Sequence, residues 1–365
     1  MARPTEMPAP VVAQPKPYLV RLESGRTYFW CACGRSAHQP FCDGSHQGTG
    51  FTPRKIVATC TEEVLLCGCK RSCGAPFCDG AHTNLPGGSP LDDPESPANR
   101  LIPIVTEQDG PRRWLNGGCY VVSPALAPKT ARDRLRYYYL ATPELGTRFQ
   151  TQVLLEVQAG ASPVLSLGGR DVILFVAGGS GRAIISGRDF ELKPLDGVYV
   201  RPDEALQLVP AGGESLSVFA LASPPGTLEW PAAMTHNFDA DFPERIVSVD
   251  PRQRTEMGPR YFQLLVDKRI GSRVITQFIG HIPRSKAAPH RHLYEEAIIV
   301  LSGEGYIWTE ERKAKVQAGE AIFLPRKQLH SVEATSPEGI FVVGVICPGD
   351  NPSIAYYDQA ARGGD

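Results

Sequence analysis

The sequence lacks several features that would assign it to a broad protein class. It has no apolar run long enough to cross a bilayer, and its first residues lack the apolar core of a secretory signal peptide. Its 38 basic residues balance 39 acidic ones, so the net charge of −1 offers no general attraction to nucleic acids. Long stretches of helical periodicity are also scarce. We therefore expect a β-rich cytoplasmic protein that partners neither nucleic acid nor membrane.

Cysteine, in contrast, is abundant and ordered. Six of the ten cysteines fall into a pattern that occurs twice, 36 residues apart. The first copy is Cys31, Cys33, Cys42 and His46, and the second is Cys67, Cys69, Cys78 and His82. Each copy offers three thiolates and one imidazole, a ligand set that selects iron–sulfur clusters, zinc or copper.

The pattern resembles the CDGSH iron–sulfur family, whose members hold a [2Fe–2S] cluster with three cysteines and one histidine. Two copies in one chain resemble the tandem branch of that family, over residues 18–85. The resemblance implies two [2Fe–2S] clusters, held by all eight residues of the two copies. Two structural zinc sites are the alternative, although such sites usually space their cysteines as C-x2-4-C rather than C-x-C.

The ligand spacing predicts how each cluster would be held. Cys31 and Cys33 lie one residue apart on an extended segment, so both can bind one iron. Cys42 and His46 would then bind the second iron. The stretch Asp43–Ser45 between them predicts the start of a helix, with Asp43 or Ser45 as its cap. Replacing a thiolate by imidazole removes negative charge, a change that raises the potential of related centres.

Composition divides the rest of the chain. A linker is predicted where Pro, Gly, Asp and Ser are dense, and many short apolar runs separated by turn residues predict jelly-roll barrels. The predicted fold is mainly β, with a small tandem CDGSH domain followed by two cupin barrels. The predicted segments are a disordered tail (1–17), the cluster domain (18–85), a linker (86–112), a barrel without metal (113–222), a linker (223–246), a metal-binding barrel (247–350) and a C-terminal tail (351–365).

The last barrel carries a second constellation of ligands. His290 and His292 alternate along the chain and would face the same side of a strand. Glu296 and His330 complete the pattern H-x-H-x3-E-x6-G followed by G-x5-P-x4-H. This resembles the two-part metal signature of the cupin superfamily, which implies one mononuclear metal ion. Fe(II) suits the site best, with Mn, Ni or Zn as alternatives; solvated histidines on a barrel surface are the metal-free alternative.

The preceding barrel resembles the last one more weakly. Aligning residues 171–181 with residues 295–305 places Ser166, Gly168 and Val172 at the first three ligand positions. The position of the last histidine falls near Leu206 or Gln207. We therefore expect a cupin-like barrel without a metal, packed against the metal-binding barrel as in a bicupin.

These features favour a non-heme iron cupin oxygenase, in which His290, His292, Glu296 and His330 hold the catalytic iron. Inserting one oxygen atom from O2 requires two electrons, and each [2Fe–2S] cluster stores one. The expected partners are O2, a small organic substrate, an external reductase or ferredoxin, and further copies of the chain through the barrels. An anionic substrate group could be bound by residues on the strand and loop before the metal motif, although a solvated loop is the favoured interpretation of them: Arg273, Gln277, Arg284 and Lys286.

Two other classes remain open because a fold alone does not choose a reaction. One is a cupin isomerase or hydrolase whose activity is gated by the redox state of the clusters. The other is a non-enzymatic iron–sulfur sensor in which the cupin binds a ligand.

Overall fold

The computed structural model describes residues 9–15, 17–58, 61–72, 75–78, 85, 93–257, 259–287, 289–349 and 352. The chain divides into two compact units, one built mainly from the first 96 residues and the other mainly from residues 97–352. Both units consist of strands joined by turns, which confirms the predicted mainly β fold. The described part of the chain contains no helix that is long and apolar enough to span a membrane.

The N-terminal unit is built from two interleaved copies. Its strands are β1 (Tyr18–Leu22), β2 (Thr27–Trp30), β3 (Arg54–Val57) and β4 (Glu62–Leu66). Strand β1 pairs antiparallel with β4, and β2 pairs antiparallel with β3. Because β3 repeats β1 and β4 repeats β2 in the sequence, each copy completes the sheet of the other. Buried Leu22, Trp30 and Leu66 form the small core between them.

The segment before β1 differs from the prediction. Val11 donates its N–H to the carbonyl of Cys33 at 3.0 Å, and the N–H groups of Ala13 and Gln14 reach the carbonyl of Gly68 at 3.2 Å. A disordered tail is therefore the wrong prediction for residues 9–15, because backbone hydrogen bonds tie them to both cysteine loops. Composition favoured disorder there, and these long-range partners are invisible to it.

The second unit begins with a short helix α1 (Pro97–Arg100) and contains two barrels. The strands of the unit up to the end of the first barrel are β5 (Arg112–Trp114), β6 (Tyr120–Val122), β7 (Thr130–Arg132), β8 (Leu135–Ala141), β9 (Thr151–Val157), β10 (Asp171–Gly178), β11 (Gly181–Ile185), β12 (Arg188–Leu192), β13 (Gly197–Val200), β14 (Leu206–Pro210) and β15 (Leu216–Ser223). The remaining strands are β16 (Ile246–Val247), β17 (Thr255–Met257), β18 (Arg260–Leu264), β19 (Thr276–Ile282), β20 (Glu295–Ser302), β21 (Glu304–Trp308), β22 (Lys313–Gln317), β23 (Ala321–Leu324), β24 (Ser331–Ala334) and β25 (Ile340–Cys347).

Each barrel combines a large and a small sheet. In the first, the order β16-β13-β10-β15-β9-β8-β7 is completed by β12-β11-β14. In the second, the order β17-β18-β19-β25-β20-β23-β6-β5 is completed by β22-β21-β24. Sequence-neighbouring strands are often separated in these orders, as expected for jelly-roll topology.

The barrels exchange strands, which moves the predicted boundaries. Strands β5 and β6 lie in the region predicted as the first linker and the start of the first barrel, yet β6 pairs with β23 of the second barrel. Residue Ile104, within the predicted linker, also forms a bridge with Lys313. Conversely, β16 precedes the second barrel but pairs with β13 of the first. The boundaries at 113 and 247 are therefore corrected, because strand pairing and not chain order decides membership.

Strand alternation divides the interior into layers. Along β20, Ile298 and Val300 point into the second barrel, whereas Ala297 and Ile299 point toward the first. Phe175, Tyr199 and Phe219 of the first barrel pack in the same hydrophobic layer as Ala297 and Ile299. A strand buried on both faces carries almost no freedom of register, so the residues at its start are held firmly in place.

One buried ion pair secures the exchanged strand β16. Arg245 precedes it and makes a two-pronged contact with Glu204 of the first barrel, with both side chains almost fully excluded from solvent. Removing one member of such a pair leaves a buried charge without compensation.

We expect Arg245→Met to lower the free energy of unfolding of the second unit by about 3–5 kcal/mol, measured by urea denaturation. The matched control is Arg182→Met, which breaks a pair with Asp189 whose side chains are 53% and 55% exposed. Exposed pairs contribute less than about 1 kcal/mol, so the control should stay close to the parent protein. Equal losses in the two variants would contradict this assignment.

Candidate metal and cluster sites

The first cysteine copy forms two pairs of ligand atoms. The Sγ atoms of Cys31 and Cys33 lie 3.7 Å apart, and the Sγ of Cys42 lies 3.1 Å from Nδ1 of His46. The ligand spacing predicted these two pairs of atoms; that each pair binds one iron of a [2Fe–2S] cluster stays a prediction. The donor set of three sulfurs and one imidazole nitrogen fits that cluster.

Backbone pairing brings the two pairs together. Trp30 and Phe41 form an antiparallel bridge, and Cys31 donates its N–H to the carbonyl of Pro40 at 2.9 Å. On the other side, Cys42 donates its N–H to the carbonyl of Phe29 at 2.8 Å. The hydroxyl of Ser36 closes the intervening loop by donating to the carbonyl of Phe41 at 2.6 Å.

Several N–H groups point at the sulfurs. Arg35 donates its backbone N–H to Cys33 at 3.5 Å, Gly44 donates to Cys42 at 3.4 Å, and the amide of Gln39 donates to Cys31 at 3.4 Å. Such donors stabilise thiolate charge and tune the potential of a bound cluster. The site is thus arranged for anionic sulfur.

The predicted helix after Cys42 is absent from the described structure, where residues 44–50 form consecutive bends and turns. The Asp43 carboxylate accepts N–H groups from Ser45 at 3.0 Å and Ala37 at 2.8 Å. Hydrogen bonding with Ser45 is the main cause of the lowered pKa of Asp43. Asp43 therefore folds the loop back on itself rather than starting a helix.

The second copy repeats these contacts over its described residues. Leu66 bridges Phe77, and the hydroxyl of Ser72 donates to the carbonyl of Phe77 at 2.6 Å. The Sγ atoms of Cys67 and Cys69 lie 3.5 Å apart, and the hydrogen bond between them is the main cause of the lowered pKa of Cys67, to about 6. Cys78 is buried, whereas the predicted ligand His82 lies outside the described residues.

Three of the four predicted ligands of the mononuclear metal site converge. One ligand atom from each of His290, His292 and His330 lies within 4.8 Å of the others. The rings of His290 and His292 stand 4.9 Å apart and nearly perpendicular, as two imidazoles approaching one ion would. His330 donates Nδ1–H to the carbonyl of Gln328 at 2.9 Å, which leaves Nε2 as the nitrogen with a lone pair for a metal.

Glu296 lies at the inward-facing start of β20 but outside the cluster of three histidines. It is only 6% exposed, and burial raises its pKa to about 8. A metal cation nearby would favour its carboxylate form, so a buried carboxyl is chemically suited to be a metal ligand. Its role as the fourth ligand remains a prediction.

The neighbouring Glu295 has a different task. Its side chain faces away from the barrel interior and accepts N–H groups from Arg148 at 2.6 Å and Phe149 at 3.1 Å. It therefore holds a loop of the first barrel. The motif spacing selected Glu296, and strand alternation separates the two adjacent carboxyls.

In the first barrel, the corresponding positions hold packed or hydrogen-bonded residues. Ser166 bridges Glu229 and accepts the N–H of Gly168 at 3.0 Å, while Val172 and Leu206 lie in the hydrophobic core. None of these four ligand-equivalent positions supplies an imidazole or carboxylate.

A pocket of about 470 Å³ is lined by residues of β17, β18 and β19 and of the loop between β18 and β19. Among its described lining residues are exposed Lys268 and Arg273, beside buried Phe262 and Thr276. Thr276 pairs with Ile346, which pairs with Glu296, so all three lie in one row across the sheet. Arg273, which was predicted to bind an anionic group, therefore lines a cavity. Lys286 is buried instead, and its ammonium group lies over the ring of Trp308.

Sequence analysis missed Lys70, a buried cation beside the second C-x-C pair. The available signal was a break in the repeat, since Lys70 stands where the first copy has Gly34.

Comparisons with known proteins agree with the two constellations. A family model described as iron-binding zinc finger CDGSH type matches residues 8–47, and a cupin domain model matches residues 281–347. A curated mouse (Mus musculus) protein, "CDGSH iron-sulfur domain-containing protein 3, mitochondrial", is 54% identical over 57 residues. That match covers 15% of this chain and 42% of the relative, so the chain spans less than half of the relative's length.

Solved structures resemble the barrels. A mutant of salicylate 1,2-dioxygenase from Pseudoaminobacter salicylatoxidans, in complex with gentisate, superposes with a TM-score of 0.51 and 11% identity, covering 70% of this chain and 87% of its own. An oxalate decarboxylase superposes with a TM-score of 0.51 and 13% identity, covering 62% and 76%. At such identities the likeness shows the fold alone. The chain therefore carries a CDGSH iron–sulfur domain at its N-terminus and a cupin domain at its C-terminus.

Proposed function

We propose that this protein is a non-heme iron cupin oxygenase that receives electrons from two [2Fe–2S] clusters in its own chain. The observation that carries the proposal is the convergence of His290, His292 and His330 within 4.8 Å, in a chain that also holds a complete set of cluster ligands. Three neutral imidazoles suit Fe(II), Mn, Ni or Zn. Iron is the metal of this proposal because Fe(II) can react with O2 and can also accept single electrons from carriers such as [2Fe–2S] clusters.

Electron stoichiometry supports the pairing of the two domains. Inserting one atom of O2 into a C–H bond, with the other atom leaving as water, consumes two electrons and two protons. Two [2Fe–2S] clusters supply one electron each, and an external reductase or ferredoxin restores them. An iron ion bound by the three imidazoles would provide the site of O2 activation, while the barrel orients the substrate.

The pocket suggests the class of substrate. Lys268 and Arg273 line a cavity of about 470 Å³, a volume suited to a small organic molecule. Guanidinium and ammonium groups bind carboxylates, and apolar Phe262 and Leu264 offer a surface for a hydrocarbon portion. A small organic anion is therefore the proposed substrate.

Metal analysis provides the first test. The purified protein should contain four cluster irons and one further metal ion, and His330→Ala should lose only the further ion, because one of three imidazoles is removed. Ser166→Ala, at a ligand-equivalent position of the first barrel, is the control and should leave metal content unchanged. Elemental analysis with visible absorption separates the two kinds of iron; zinc in place of cluster iron after anaerobic iron loading would contradict the cluster assignment.

Single-turnover kinetics tests the electron supply. Chemically reduced protein mixed with O2 and substrate should reoxidise both clusters at the rate at which product forms, followed by stopped-flow absorption. In His330→Ala the clusters should still be reduced normally, but substrate should no longer accelerate their reoxidation, because the cupin metal is missing.

The same experiment discriminates among the alternatives. Product formation with oxidised clusters and no reductant would overturn the electron-supply role and leave a dioxygenase or a non-oxidative cupin enzyme. A rate of cluster reoxidation that no substrate changes would favour a redox sensor.

A further inference from the structure

Lys70 is buried in the N-terminal unit, although lysine is rarely found in a protein interior. Only 6% of its surface is exposed, and it follows the Cys67–Cys69 pair directly. Its Nζ donates a hydrogen bond to the carbonyl of Cys67 at 3.1 Å and lies 4.5 Å from the centre of the Trp30 ring. Tyr18 presents a second aromatic ring to it at 5.8 Å. The side chain is thus held in one place by a carbonyl and two ring faces.

This location connects the two cysteine copies. Trp30 directly precedes Cys31 of the first copy, and its indole N–H donates to the carbonyl of Cys67 in the second copy at 3.0 Å. Lys70 and Trp30 therefore meet at the same carbonyl group. One cation is placed beside the first ligands of both copies.

The ammonium group therefore lies at the start of the second C-x-C pair and against the ring of the residue that precedes the first pair. Because charge is screened poorly in a protein interior, a charge in this position acts on whatever either pair of thiolates binds.

The first copy has no cation of its own at the corresponding position. Gly34 stands there with a φ of +79°, and a Cβ on it would lie 1.8 Å from the carbonyl oxygen of Val11. The N-terminal segment thus occupies the space that a second lysine would need. Among the described residues of the two copies, Lys70 is the one buried cation, so the repeat is asymmetric.

We propose that Lys70 is a shared positioning residue that raises the reduction potentials of both clusters through its fixed positive charge. The inference rests on the two clusters of the proposed function. One-electron reduction adds one negative charge to a [2Fe–2S] cluster, and a fixed cation nearby stabilises that reduced form. Because the protein interior screens charge poorly, one ammonium can act on both sites. Both clusters would then be reducible by the same donor.

The test measures the two midpoint potentials of the full-length protein by redox titration followed by electron paramagnetic resonance. In Lys70→Gln, which retains a hydrogen-bond donor for the Cys67 carbonyl but removes the charge, both potentials should shift downward. Lys70→Arg retains the charge and should restore most of both shifts. Lys70→Met serves as the neutral variant if Lys70→Gln loses its clusters. Lys55→Met, an exposed lysine on β3, is the control and should change neither potential.

Three results would overturn the proposal. A shift of the second cluster alone would make Lys70 a local residue, and equal shifts in the Gln and Arg variants would indicate packing rather than charge. A single cluster in the parent protein would leave nothing to share. The proposed oxygenase function fails separately, when both potentials respond to Lys70 but reduced protein consumes no O2 with any small organic anion.

Discussion

A single hydrophobic layer between two sheets governs the second unit. Phe175 and Phe219 of the first barrel pack against Ile299 and Val343 of the second, so β20 is buried on both faces. Its two neighbouring carboxyls are consequently sorted by alternation. Glu295 binds a loop of the first barrel, while Glu296 lies on the opposite face of the strand, with Ile298 and Val300 of the second barrel. The first barrel thus fixes the strand that carries the predicted ligand Glu296, although its own ligand-equivalent positions supply no imidazole or carboxylate.

Strand exchange makes the two barrels mutually dependent. Strand β6 completes the sheet of the second barrel, and β16 extends the sheet of the first. The pairing of β6 with β23 joins residues that are about 200 positions apart in the chain. Contacts of such long sequence separation are associated with slow folding. The buried pair of Arg245 and Glu204 anchors one of these crossings.

The N-terminal unit is constrained by the burial of several cysteine sulfurs in a very small core. Its two copies complete each other's sheets, and the segment before β1 hydrogen-bonds to both cysteine loops. Backbone N–H groups point at the cysteine sulfurs, and buried Lys70 donates to the carbonyl of Cys67. A domain of this size has little apolar surface to bury. Bound clusters would therefore add to its stability, as metal ions do in other small domains.

The sequence by itself determined the two sets of candidate ligands in this protein. Short-range ligand spacing paired Cys31 with Cys33 and Cys42 with His46, because neighbours a few residues apart have few ways to meet. The convergence of His330 with His290 and His292 was expected from the resemblance to the cupin metal signature. Alternating short strands likewise predicted barrels. Only the tertiary structure decided which barrel owns β6 and β16, why residues 9–15 are ordered, and that Lys70 lies beside both copies. Those outcomes depend on pairing between residues far apart in the chain, for which local composition carries no signal.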